Sequence, residues 1–111
     1  MANKTLNPTE KDYLASIRAS YAIHATDELW DAMCQLSELY IRDGWTQTAS
    51  DILAFIVLQD DVPHDIYEQA EDLFDHLERS ICPRVIWDAK AFASDMDLIG
   101  IIEYLLEDPP R

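Results

Sequence analysis

His64, Glu68, Asp72 and His76 recur at every fourth position, so a helix would carry them along one stripe. Imidazole and carboxylate together are ligands for a transition metal. A four-residue step drifts around the helix, however, His64 falls where that helix would begin, and no neighbouring segment offers a matching ligand, so no metal is expected. Cys34 with His24, His64 or His76 could form a thiol–imidazole pair, but nothing near the cysteine in sequence supports one. The chain has no GxGxxG, no phosphate loop and no HExxH. The expectation is a protein that is not an enzyme and needs no cofactor.

The acidic run carries a stronger signal. From Asp60 to Glu78 there are eight carboxylates and no Lys or Arg, so this segment lacks the opposite-sign pairs that usually stabilise an exposed helix face. Either the run is a solubility device or it is a surface that meets Lys and Arg. Over the whole chain 22 acidic residues face 8 basic ones, a net charge of −14. Such a field repels phosphates and anionic lipid headgroups, which argues against direct binding to nucleic acid or a membrane surface. Its natural complement is a protein with a basic surface. The same charge would also keep a small protein monodisperse.

The elements that must position these residues follow from periodicity and punctuation. With 111 residues, 49% apolar and only 2 Gly, the composition fits a single all-α domain with short connections, residues 1–111. Asn7-Pro8-Thr9-Glu10 reads as a helix start, and Tyr13, Leu14, Ile17 and Tyr21 continue it to about Ala25. Thr26 or Asp27 can cap a second helix with Leu29, Trp30, Met33, Leu36, Leu39 and Tyr40 on its apolar face, closed by Asp43-Gly44. Thr46 or Thr48 can cap a third, with Asp51 three after Thr48 as in a capping box. Its ILAFIVL run, Ile52 to Leu58, is apolar on every side, so this helix should be covered on both sides and lie centrally. Its β-branched residues are also compatible with a strand.

After the turn at Asp60-Asp61-Val62-Pro63, a fourth helix turns Ile66, Tyr67, Ala70, Leu73, Phe74, Leu77 and Ile81 inward and its acids outward. Cys82-Pro83 breaks it and begins a fifth, Val85 to Ala93. Ser94 or Asp95 caps a sixth, apolar from Met96 to Leu106 and stopped by Pro109-Pro110. No apolar run approaches the roughly 20 residues of a membrane span, and MANKTLNPTE lacks the apolar stretch of a secretory signal, so a cytoplasmic protein is expected. Cys34 and Cys82 belong to no CxxC pair and are expected to be buried, reduced thiols.

From Leu36 to Pro63, LSELYIRDGWTQTASDILAFIVLQDDVP places large apolar, aromatic, glycine, alanine, large apolar and closing proline in that order. This order resembles a tetratricopeptide repeat, with the best match over residues 29–63. The following residues, 64–108, resemble the capping helices that close such arrays in large bacterial signal-transduction proteins. Met33, Ser37, Trp45 and Pro63 depart from the repeat's usual residue or place. Only one repeat matches, whereas a stack buries a continuous core with about three. Either the flanking helices act as degenerate repeats or another molecule completes the stack.

The resemblance implies an antiparallel helix-hairpin stack of about six helices that binds a protein partner as an adaptor or regulatory subunit. By similarity its groove would be lined by Asp31, Cys34, Gln35, Glu38 and Arg42 from the second helix, joined by Glu68, Glu71, Asp72 and Asp75 from the fourth. Leu36, Tyr40, Ala49, Leu53 and Ile56 would be mutually buried, and Trp30, Trp45 and Trp87 would anchor any association, including a possible homodimer. An alternative function is an acidic mimic of nucleic acid that inhibits a nucleic-acid-binding protein.

Overall fold

The computed structural model describes residues 9–107 and arranges them as six α-helices, with no strand among the described residues. They are α1 Glu10–Ala22, α2 Thr26–Arg42, α3 Thr46–Val57, α4 His64–Ser80, α5 Pro83–Ser94 and α6 Leu98–Glu107. Asn7, Pro8, Pro109 and Pro110, part of the expected start and stop signals, lie outside the described residues.

Helix α1 begins with a capping box. The Asp12 amide donates to Thr9 Oγ1 at 3.4 Å and the Thr9 amide donates to Asp12 Oδ2 at 2.9 Å, satisfying two otherwise orphaned donors. It stops at Ala22, three residues short of the expected end, because His24 turns left-handed with φ of 58°. The Ala25 amide then reaches back to the Ser20 carbonyl at 2.9 Å and the His24 amide to Tyr21 at 3.2 Å, a Schellman motif without glycine. The same pattern ends α2, where Trp45 donates to Tyr40 at 2.8 Å and Gly44 donates to Ile41 at 3.2 Å, with Gly44 at φ of 87°. Two three-residue turns of one geometry thus fold α1 onto α2 and α2 onto α3.

Helix α3 is the centre, with α2, α4 and α5 all packed against it. Every residue from Thr48 to Ile56 is buried, as an apolar run without a polar side requires. Leu36, Tyr40, Ala49, Leu53 and Ile56 are at most 1% exposed, so the expected facing stripes of α2 and α3 are closed to solvent. Small Ala49 allows close approach there, while Trp30 of α2 meets Phe55 of α3 with centroids 6.1 Å apart, within the range of favourable aromatic pairs.

Four local expectations change. Neither Thr26 nor Asp27 caps α2: both lie inside the helix, and Ala25 holds the N-cap position without a side-chain hydrogen bond. Neither Thr46 nor Thr48 caps α3: Trp45 holds the N-cap position without a side-chain hydrogen bond, and Thr48 and Asp51 are buried. Nor do Ser94 and Asp95 cap α6; Asp97 does so, its Oδ1 accepting from the Gly100 amide at 2.7 Å and its carbonyl from Ile101 at 3.0 Å. Helix α5 extends back to Pro83, whose missing N–H costs nothing at a first helical position. It lies chiefly along α3 and meets α4 over only a short stretch, while α6 packs on α1.

Candidate functional site

The fourth helix shows most directly how sequence places charge. Ile66, Ala70, Phe74 and Leu77 recur at three- and four-residue steps and are buried, which fixes the roll of α4 and turns the intervening positions to solvent. Asp65, Glu68, Glu71, Asp72 and Asp75 are all exposed as a result. Glu68 approaches His64 at 3.3 Å, and Glu71 accepts from the Tyr67 hydroxyl at 3.4 Å. Arg79 stands in the last turn of α4 itself, and Lys90 of α5 pairs with Glu78 at 3.1 Å and lies 5.9 Å from the centre of the Phe74 ring. Among the described residues, none of the four candidate carboxylates, Glu68, Glu71, Asp72 and Asp75, pairs with a Lys or Arg.

On α2 the deeply buried face leaves a narrow outward stripe at steps of three and four. Asp31, Glu38 and Arg42 are exposed on it and Gln35 is half-buried. Asp31 Oδ2 accepts from Gln35 Nε2 at 2.9 Å, and Gln35 Oε1 accepts from the Tyr13 hydroxyl of α1 at 3.3 Å. Asp31 and Gln35, with Glu28 of α2 and Tyr13, Ser16 and Ser20 of α1, line a polar groove of about 390 Å³. Two of the five α2 candidates, Asp31 and Gln35, therefore share one groove with α1, while the α4 carboxylates lie on the outward face of another helix.

Cys34 is not part of either surface. It is wholly buried, and burial, reinforced by the negative charges of Glu38 and Asp31, pushes its thiol up to about 12. That is the opposite of the activation a nucleophilic cysteine requires. Cys82 departs from expectation in the other direction and is exposed. Of the three indoles, Trp30 is buried at 1% exposure, so it cannot anchor a partner, whereas Trp45 and Trp87 are exposed. Among the described residues no group of three His, Cys, Asp or Glu side chains converges as a metal site would require, and the stripe from His64 to His76 stays spread along its helix.

One polar constellation was hidden in sequence. Asp51 of α3, only 6% exposed, accepts from Gln47 Nε2 at 2.9 Å and from the Tyr104 hydroxyl of α6 at 3.2 Å. Burial raises its carboxyl above the ordinary range, against the lowering effect of both hydrogen bonds. Burial and the adjoining Asp51 carboxylate push the Tyr104 hydroxyl up to about 12. Gln47, Thr48 and Tyr104 also border a shallow recess of about 310 Å³ beside Trp45. The only sequence signal for this link is an acid that interrupts the buried face of an otherwise apolar helix.

The two surfaces differ in chemistry: α4 presents charge, and the α1–α2 groove presents mixed polar and apolar side chains. No family model matches the chain, and neither a curated protein nor a solved structure matches it.

Proposed function

We propose that this protein is a small non-catalytic interaction module, an adaptor or regulatory subunit, that binds a basic protein surface through the outward face of α4. The observation that carries the reading is the stripe of Glu68, Glu71, Asp72 and Asp75, exposed together and without a Lys or Arg partner among the described residues. Unbalanced charges on one face repel each other, and an opposing row of Lys or Arg relieves that repulsion while steering the two proteins together. Asp31, Gln35, Glu38 and Arg42 offer a second set of contacts on α2. The closely packed α2–α3 hairpin supports a tetratricopeptide-like reading of the scaffold.

A pull-down with the full chain identifies the partner and its chemistry. Capture of a Lys- and Arg-rich protein at about 50 mM salt and its release near 500 mM is the expected result, because the Debye length shrinks from over 10 Å to a few ångströms across that range. The variant Glu68→Gln, Glu71→Gln, Asp72→Asn, Asp75→Asn should associate with that partner at least about tenfold more slowly, while its stability changes little. Unchanged association kinetics and salt response would refute the role of α4. If the captured protein binds nucleic acid and DNA displaces it from the chain, the acidic face acts as a nucleic-acid mimic instead.

A further inference from the structure

We propose that the groove between α1 and α6 is a second docking surface, opposite in sign to α4, which takes an acidic amphipathic helix of a partner protein. The groove encloses about 490 Å³, with Leu14 and Ala19 of α1 and Leu106 of α6 in its apolar lining and Lys11 and Arg18 beside them. Lys11 and Arg18 are seven positions apart, two helical turns, so they stand on the same side of α1 about 10 Å apart along its axis. Both are exposed, and like Arg42 and Arg79 neither forms an ion pair among the described residues.

In a chain of 22 acidic and 8 basic residues, these two cations stand together beside one apolar groove. The ligand complementary to them is a helix of about three turns whose apolar stripe is flanked by carboxylates two turns apart. A second copy of this chain fits poorly. The carboxylate face of its α4 has no apolar stripe to offer, because Ile66, Ala70, Phe74 and Leu77 are already buried. This inference is independent of the α4 reading, and together the two surfaces would join partners of opposite charge.

Two synthetic helices test it, sharing one Leu stripe and flanked either by Glu or by Lys, each titrated into the isotope-labelled full chain and followed by amide NMR shifts. The Glu helix should shift α1 and α6 amides saturably, and the Lys helix should leave them unmoved. Lys11→Glu with Arg18→Glu should weaken the Glu helix about fivefold or more, the combined effect of two exposed ion pairs. Ala15→Trp should abolish its binding by filling an exposed part of this groove without entering the core or the α1–α2 groove, with circular dichroism confirming that both variants fold. Amide-neutralising the four α4 carboxylates should not weaken the binding, since it only lowers the chain's repulsion of an acidic helix, and this separates the two surfaces. The proposal is overturned if the Glu helix binds nowhere or elsewhere, if both groove variants bind it normally, or if the chain is a dimer that Ala15→Trp turns into a monomer.

Discussion

Ala49→Leu tests the close approach of α2 and α3. Ala49 is 0% exposed, and Leu36, Tyr40, Leu53 and Ile56 around the same helix pair are equally closed to solvent. Leucine adds three carbon atoms, and if room existed their burial would stabilise the fold by about 2.4 kcal/mol, at roughly 0.8 kcal/mol for each group. In a well-packed interface the added atoms force the helices apart or push side chains off their rotamers, for a net loss of about 1–3 kcal/mol. The clash must therefore cost about 3–5 kcal/mol before the burial gain is subtracted. For a domain near 100 residues, the net loss corresponds to a fall in Tm of roughly 4–15 °C. Urea unfolding followed by far-UV circular dichroism should show a lower midpoint with an unchanged slope. Ala15→Leu on the exposed face of α1 is the control and should stay within about 0.5 kcal/mol of the parent. An Ala49→Leu protein as stable as the parent, or more so, would show that α2 and α3 are not held at the closeness argued for them.

Three further outcomes follow from local chemistry. His24 occupies a left-handed conformation at φ of 58°, so His24→Gly should stabilise the protein by about 0.5–1 kcal/mol in the same urea melts, whereas Gly44→Ala at φ of 87° should destabilise it by a similar amount; the reverse order of midpoints would refute the turn assignment. At neutral pH a thiol reagent should modify Cys82 rapidly and spare Cys34, whose thiol burial keeps protonated, until denaturant is added; rapid reaction of both in the native protein would contradict the packing. Because burial raises the Asp51 carboxyl in the folded state, its contribution to stability is present below the ordinary carboxylate pKa of about 3.9 and is lost as pH rises through the folded value. The stability of the parent relative to Asp51→Asn should therefore fall from pH 4 towards pH 7, and a flat or rising difference would show that Asp51 is not desolvated.

Features that depend on spacing along one helix were legible in the sequence. The apolar positions of α2 and α4 fixed which face each helix buries, and hence where Asp31, Glu38, Glu68 and Asp75 would emerge. Gly44 announced its turn, but His24 makes the same turn without a glycine, and an imidazole carries no comparable signal. Thr48 and Asp51 match a capping box by spacing, yet tertiary burial reassigns them: Asp51 bonds to Gln47 on its own helix and to Tyr104, which is 53 residues distant. Cys34 was placed on an outward stripe by the repeat pattern but sits just past its edge, under the packed helices. The α1–α2 groove and the α1–α6 groove each need two helices to exist, and the packing of α5 along α3 spans residues far apart in sequence, so periodicity within one segment could not reveal any of them.

The central position of α3 also governs what happens when the fold is lost. Ile52 to Leu58 has the composition of a self-associating β-segment: seven consecutive apolar residues, several of them β-branched or aromatic, with no charge and no proline. In the native protein α2, α4 and α5 cover this helix, so six of the seven residues are buried or half-buried and only Leu58 is exposed. Once unfolding uncovers the run, Asp51 on one side and Asp60 and Asp61 on the other remain as charged flanks that oppose stacking of one chain on another. Those flanks act only while ionised. Acid that protonates them would therefore open a route from the unfolded chain to aggregation, with the α3 run as the segment that recruits further chains.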